Sequence, residues 1–156
     1  MTKIKHIWSV LCKDSVIDQT DNNISLHGVL EQLTVSVSLQ DQTENVSTMG
    51  IPLDYQIVSM WQKVGKLQIV AEGEIEYILT DPKGKDLLRN TQIIKISKAL
   101  RRFRSRMKIS GLPLTSSGDY IFQIRFKGEN SREFKLISEL PLEVEIKFSK
   151  KTSKSN

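Results

Sequence analysis

Side chains able to do covalent or metal chemistry are scarce in this 156-residue chain: two histidines, His6 and His27, and a single cysteine, Cys12. A cysteine–histidine pair acting as nucleophile and base needs the two side chains within hydrogen-bond reach. In an extended segment Cys12 shares the parity of Trp8 and Val10, which reads as a buried, inert thiol. His6 has the same parity and reads as a satisfied histidine near a strand end, while His27 reads as exposed. Zinc sites use Cys or His ligands in pairs at motif spacing, and no such pairs occur, so no metal and no cofactor is expected. Glu72, Glu74 and Glu76 project from one strand face about 7 Å apart, which suits acid/base work only if they line a cleft. On an open sheet they are a solvated face. The single glycines are dispersed and form no phosphate-cradling loop.

One feature stands out instead. Of the 23 Lys and Arg residues, eight fall between Leu87 and Gly118, a stretch without any Asp or Glu, although the net charge of the chain is only +5. If 101–110 is extended, Arg102, Arg104, Arg106 and Lys108 line one face, and Phe103, Ser105, Met107 and Ile109 the other. Such a ridge can follow a phosphate backbone, because arginine binds phosphate oxygens bidentately. No aromatic residue interleaves with the arginines, as single-strand binders usually require. The ridge also reads as a solvated face, as the cross-strand partner of Glu72, Glu74 and Glu76, or as the guard of an edge strand. An anionic membrane surface or an acidic protein are further partners for it.

The elements that must position these residues are strands. Period-2 patterns recur from the N-terminus to Phe148, interrupted by turn residues. The first strand spans about Lys3 to Cys12, with Ile4, His6, Trp8, Val10 and Cys12 on one face. After Asp21-Asn22-Asn23, a second strand carries Ile24, Leu26, Gly28 and Leu30 on one parity, then Leu33, Val35, Val37 and Leu39 on the other. That phase flip predicts a β-bulge near Glu31 or Gln32. A polar loop (Gln40 to Gly50) precedes a strand from Pro52 to Trp61. Ile69 to Thr80 forms the next, and Asp81-Pro82-Lys83-Gly84 is a strong turn signal. Lys95 to Phe103 has helical propensity but is too short to stand alone. Tyr120, Phe122, Ile124 and Phe126 alternate with polar positions, Pro141 interrupts or edges the following strand, and Leu142, Val144, Ile146 and Phe148 close the chain. The tail 149–156 is polar, cationic and expected to be disordered.

The expected architecture is therefore all-β: an antiparallel two-sheet β-sandwich of about eight or nine strands, one domain over 1–148. Ser117 to Phe122 resembles the corner of immunoglobulin-like domains, where a Tyr after a turn enters a late strand and ties the turn to it. Val16 to Gln19 and Asn23 to Leu33, the Asp81 to Gly84 hairpin and the Gly118-x-Tyr120 strand together resemble an uncharacterised bacterial β-sandwich family. That resemblance spans most of the chain. It implies the fold and implies no activity.

No apolar run approaches the length of a transmembrane helix, so an integral membrane protein is not expected. The apolar stretch after Met1 is too short for a signal peptide, and the lone Cys12 suits a reducing, cytoplasmic setting. The sequence thus points to a non-enzymatic binding module that contacts a protein or itself through the arginine strand. Nucleic-acid binding through Arg102, Arg104, Arg106 and Lys108 is the alternative. A small hydrolase with an unrecognised site is the third reading, which a pocket holding a perturbed His or Glu would support.

Overall fold

Alternation of apolar and polar residues commits about three quarters of the described residues to strands, and the turns fall where Asn, Asp, Gly and Pro cluster. The computed structural model describes residues 3–38 and 48–149. Nine strands result, and no helix among the described residues: β1 Lys3–Ile17, β2 Ile24–Val29, β3 Gln32–Ser38, β4 Met49–Val64, β5 Ala71–Thr80, β6 Asp86–Ile96, β7 Arg102–Leu114, β8 Gly118–Gly128 and β9 Lys135–Ser149. They make two sheets. Sheet A has the order β2-β1-β4-β7 and sheet B the order β3-β9-β8-β5-β6. Leu39, the segment 40–47 of the polar loop and the tail residues 150–156 lie outside the described residues.

Four expectations change. The sheets are not wholly antiparallel, because β3 runs parallel to β9 over Gln32–Ser38. The cause lies in the phase flip after Leu30. It is not a bulge within one strand but a crossing from one sheet to the other. Leu30 N–H donates to the Leu11 carbonyl in sheet A at 2.8 Å, and Glu143 N–H in sheet B donates to the Glu31 carbonyl at 3.0 Å. The first strand does contain a bulge. His6 pairs with Trp61 and Trp8 with Met60, so Ile7 has no partner on β4. Ile4 and His6 therefore face the second sheet, while Trp8, Val10 and Cys12 are turned to the outside of sheet A. Finally, of the two readings of Pro141 only the edge one holds: it does not interrupt β9 but lies where β9 is still open on its β3 side. It sits opposite Ile121, two residues before β3 begins to pair at Glu143.

The core lies between the sheets. Tyr55, Ile57 and Trp61 of β4 meet Ile75, Tyr77 and Leu79 of β5 and Phe122 and Ile124 of β8. The Tyr55 and Phe122 rings are 5.8 Å apart, and Trp61 and Phe126 are 5.2 Å apart. Phe126 fits only because residue 73 is glycine, where a Cβ would come within 2.4 Å of its ring. Polar groups inside this core are satisfied, as burial requires. Trp61 Nε1–H donates to Ser105 Oγ at 2.8 Å, and His6 Nε2 lies 2.7 Å from Ser9 Oγ, which is 2.6 Å from Ser59 Oγ.

The Tyr120 corner forms as its motif implied. The hydroxyl accepts from the N–H groups of Thr115 (2.9 Å) and Ser116 (3.1 Å) and donates to the Ser116 carbonyl (2.6 Å). Tyr120→Phe leaves three backbone groups of that turn without their partner, and should cost about 1–3 kcal/mol in urea unfolding.

His6 gives a pH prediction. Burial lowers its pKa below the ordinary 6.5, against a smaller upward pull from a backbone hydrogen bond with Trp8. The unfolded chain therefore binds this proton more readily than the fold does. Stability should fall as pH drops through 6.5 and level off once the folded histidine is protonated. Urea midpoints measured across that range should show this acid-side slope, and His6→Gln should flatten it.

Candidate interaction surface

Strand β7 is an edge of sheet A, paired with β4 alone. The register fixes its outer face: Arg102 stands beside Gln62, Arg104 beside Met60, Arg106 beside Val58 and Lys108 beside Gln56. Ser105 and Ile109 on the other parity are buried, so the four cations share the outward face as the alternation required. The proposed partnership with Glu72, Glu74 and Glu76 does not form, because those residues sit in the other sheet. There Lys95 reaches Glu72, Lys127 reaches Glu74, and Arg89 and Arg125 both reach Glu76, at 2.8–3.3 Å. Arg102, Arg106 and Lys108 are exposed and have no carboxylate partner among the described residues.

Arg104 differs from its neighbours. Its Nη2 donates to both the backbone oxygen (2.7 Å) and the side-chain oxygen (2.9 Å) of Asn22, in the turn between β1 and β2. β1 stops pairing with β4 at Cys12, and the remainder of β1 pairs with β2 as a two-stranded ribbon. Such ribbons twist strongly. Gly28, with φ of 65°, sits where the ribbon bends past Lys13. The hairpin then crosses the outer face of sheet A. Ser15 Oγ donates to Gln56 Oε1, and the turn ends on Arg104. This explains why Val58 and Cys12 are fully buried although both point away from the core. Half-exposed Trp8, in the same cross-strand row as Met60 and Arg104, restores an aromatic residue to the basic face. The sequence reading missed it because the bulge at Ile7 shifts the parity of β1.

The other chemical candidates remain apart. Cys12 is buried outside the core sheet face and His6 lies on the opposite face, so they do not meet. Desolvation raises the Cys12 thiol pKa, with the Asp14 charge acting in the same direction. His27 is exposed and stands opposite Asp14 on β2. Among the described residues no group of three or more His, Cys, Asp or Glu side chains converges as a metal site. No helix there is long and apolar enough to cross a membrane.

Since Arg104 holds the hairpin over Cys12, Arg104→Ala should loosen that cover. Cys12 should then react with a disulfide reagent at least about tenfold faster than in the parent, while global stability changes by less than about 1 kcal/mol. An unchanged thiol rate would show that the hairpin does not depend on this contact.

No family model and no curated protein matches the chain. Among solved structures it is similar to the X-ray structure of Northeast Structural Genomics Consortium target SoR45. That similarity has 11% identity and a TM-score of 0.32, and covers 92% of this chain and 83% of that one.

Proposed function

We propose that this chain is a non-enzymatic binding module whose basic edge strand β7 receives an extended, acidic segment of another protein. One observation carries this reading. The cations of β7 lie on an open sheet edge without carboxylate partners among the described residues, whereas Glu72, Glu74 and Glu76 of sheet B are all matched. An edge strand offers unpaired N–H and C=O groups to an incoming strand, and its side chains select which strand is accepted. Pairing β7 with the β7 of a second copy would set arginine against arginine, which is destabilising. An acidic strand meets the same edge with opposite charges, each pair contributing about 0.2–1 kcal/mol. A cytoplasmic setting agrees with the single buried thiol. The Tyr120 corner supports an immunoglobulin-like assignment, and the motif resemblance is the ground for proposing the bacterial β-sandwich family.

Nucleic acid is the second reading, and Trp8 on the basic face is what favours it, since a base can stack there. Against it, Arg104 is already engaged by Asn22.

Anisotropy of a labelled peptide with alternating Glu and Val separates the two. The peptide should bind saturably, and R106Q/K108Q should weaken it at least about tenfold. The same peptide with proline at alternate positions cannot add as a strand and should not bind. Equal binding of the proline peptide overturns strand addition. Oligonucleotide binding that survives physiological salt and is lost in R106Q/K108Q makes polyanion recognition the function instead.

A further inference from the structure

Two features on opposite flanks of the fold are unexplained by the acidic-strand reading, and they match each other. The first is a groove of about 550 Å³ beside β1. It exists because pairing is incomplete on that flank: β2 joins β1 only from Cys12 onward, and β3 joins β9 only from Glu143 onward. Its walls include Val10, Leu30, Leu140 and Pro141, and Glu31, Asp119 and Glu143 stand at its rim. Asp119 and Glu143 are directly opposite one another across β8 and β9, an arrangement of like charges that costs stability. None of the three rim carboxylates has a cationic partner among the described residues.

The second feature is the turn from β6 to β7. Leu100 there is 51% exposed, and it is flanked by Lys98, Arg101 and Arg102, all exposed and without carboxylate partners among the described residues. The turn is strained, because Ala99 has φ of 66°, a region that alanine rarely occupies. It is also held firmly. Lys63, only 2% exposed, sends its Nζ to the carbonyls of Leu67 (3.0 Å) and Ser97 (2.8 Å). Its backbone N–H donates to Arg101 O at 2.7 Å, and Ala99 N–H donates to Leu67 O at 3.1 Å. A buried ammonium and a strained alanine thus fix an apolar residue in solvent. Local strain maintained by surrounding structure is a mark of a functional segment.

We infer that Leu100 of one copy inserts into the acid-rimmed groove of a second copy, so that the chain associates head to tail. Apolar knob meets apolar groove, while Lys98, Arg101 and Arg102 meet Glu31, Asp119 and Glu143. The knob is on the flank formed by β6 and β7 and the groove is on the flank formed by β1 and β9, so a molecule cannot fill its own groove. Because knob and groove are different patches on opposite flanks, a dimer still presents one free knob and one free groove, so assembly continues beyond it, to a closed ring or an open filament. Rigid presentation of the turn reduces the ordering cost of the contact. The inference rests on the β6–β7 flank being a contact surface, but it uses the turn rather than the open edge of β7.

Sedimentation velocity from micromolar to near-millimolar protein at low ionic strength tests it. The weight-average mass should rise past that of a dimer and fall back as salt screens the rim charges. Leu100→Ser (knob removed) and the double variant E31K/D119K (rim reversed) change exposed positions and should each stay monomeric and folded. The first should keep an unaltered melting temperature and the second one no lower than the parent's, since a lysine at 119 meets Glu143 with opposite charge. Mixed, they should form a one-to-one pair that grows no further, since only one knob and one groove survive. A parent that remains monomeric at every concentration overturns the inference, as does a parent that stops at a dimer or a mixture that stays monomeric. The acidic peptide provides the separate readout for β7. Leu100→Ser should bind it as the parent does, and R106Q/K108Q should assemble as the parent does. Failure of either surface is thereby visible alone.

Discussion

The crossing at Leu30–Glu31 is the constraint on which the rest of the fold depends. Two backbone hydrogen bonds one residue apart fasten the chain to both sheets, to Leu11 in one and to Glu143 in the other. Residues before it must pair with β1 and residues after it with β9, and the direction of travel makes the second pairing parallel. Leu30 is buried at this point, so the crossing also seals one end of the core. A parallel neighbour cannot be made from an adjacent hairpin, and this one is reached through the intervening length of the chain. The incomplete pairing of β1 and β9 follows directly, and with it the groove between them.

The interior of sheet A carries an unusual polar line. Ser9, Ser59 and Ser105 occupy neighbouring positions on β1, β4 and β7, all turned toward sheet B. Each finds a partner: His6 for Ser9, Ser9 for Ser59, and the Trp61 indole for Ser105. Small hydroxyl side chains here leave room for Trp61 and Tyr77, two of the largest fully buried side chains. An indole N–H inside a core costs stability unless it is bonded, so Ser105 does for Trp61 what a larger apolar residue could not. Charge is organised just as consistently on the surface. The β5 glutamates of sheet B, Glu72, Glu74 and Glu76, are matched pair by pair, whereas the cations of β7 and the carboxylates lining the groove beside β1 are left without partners among the described residues, on opposite flanks.

Where strands are half-buried and regular, they are legible from residues alone. In β5, alternation separates Glu72 and Glu74 from Ala71, Gly73 and Ile75, and the structure keeps that division. The Arg102–Lys108 ridge is legible for the same reason. A change of parity is different, because a bulge and a crossing leave the same trace in sequence. At Glu31 the flip was a crossing. At Ile7 a bulge produced no visible flip, since apolar residues occur on both parities there and both faces of β1 are covered. The cover itself, a hairpin held by Arg104 on Asn22, joins residues 82 positions apart and has no local signature. Nor does the pairing of β3 with β9, because strand pattern records burial and not neighbours.

The remaining question is whether β7 needs its cations for more than protection. An edge strand can be guarded by a single inward or outward lysine, by shortness, or by proline. The fold uses those milder devices elsewhere: β2 and β3 are six and seven residues long, and the outward arginine and lysine of β6 are neutralised by Glu76 and Glu72. β7 is a 13-residue edge, already bears Pro113, and still carries four cations on one face, three of them arginine. Charge alone would be served equally by lysine. Arginine adds a planar fork of donors that can capture two oxygens at once; Arg104 spends one arm of its fork, Nη2, on both oxygens of Asn22. The same fork at Arg102 and Arg106 faces solvent with no carboxylate of the described residues in reach, on a strand whose own backbone edge is open. Protection accounts for the sign of these residues. The proposed recognition of carboxylates on an incoming strand would account for their chemistry as well.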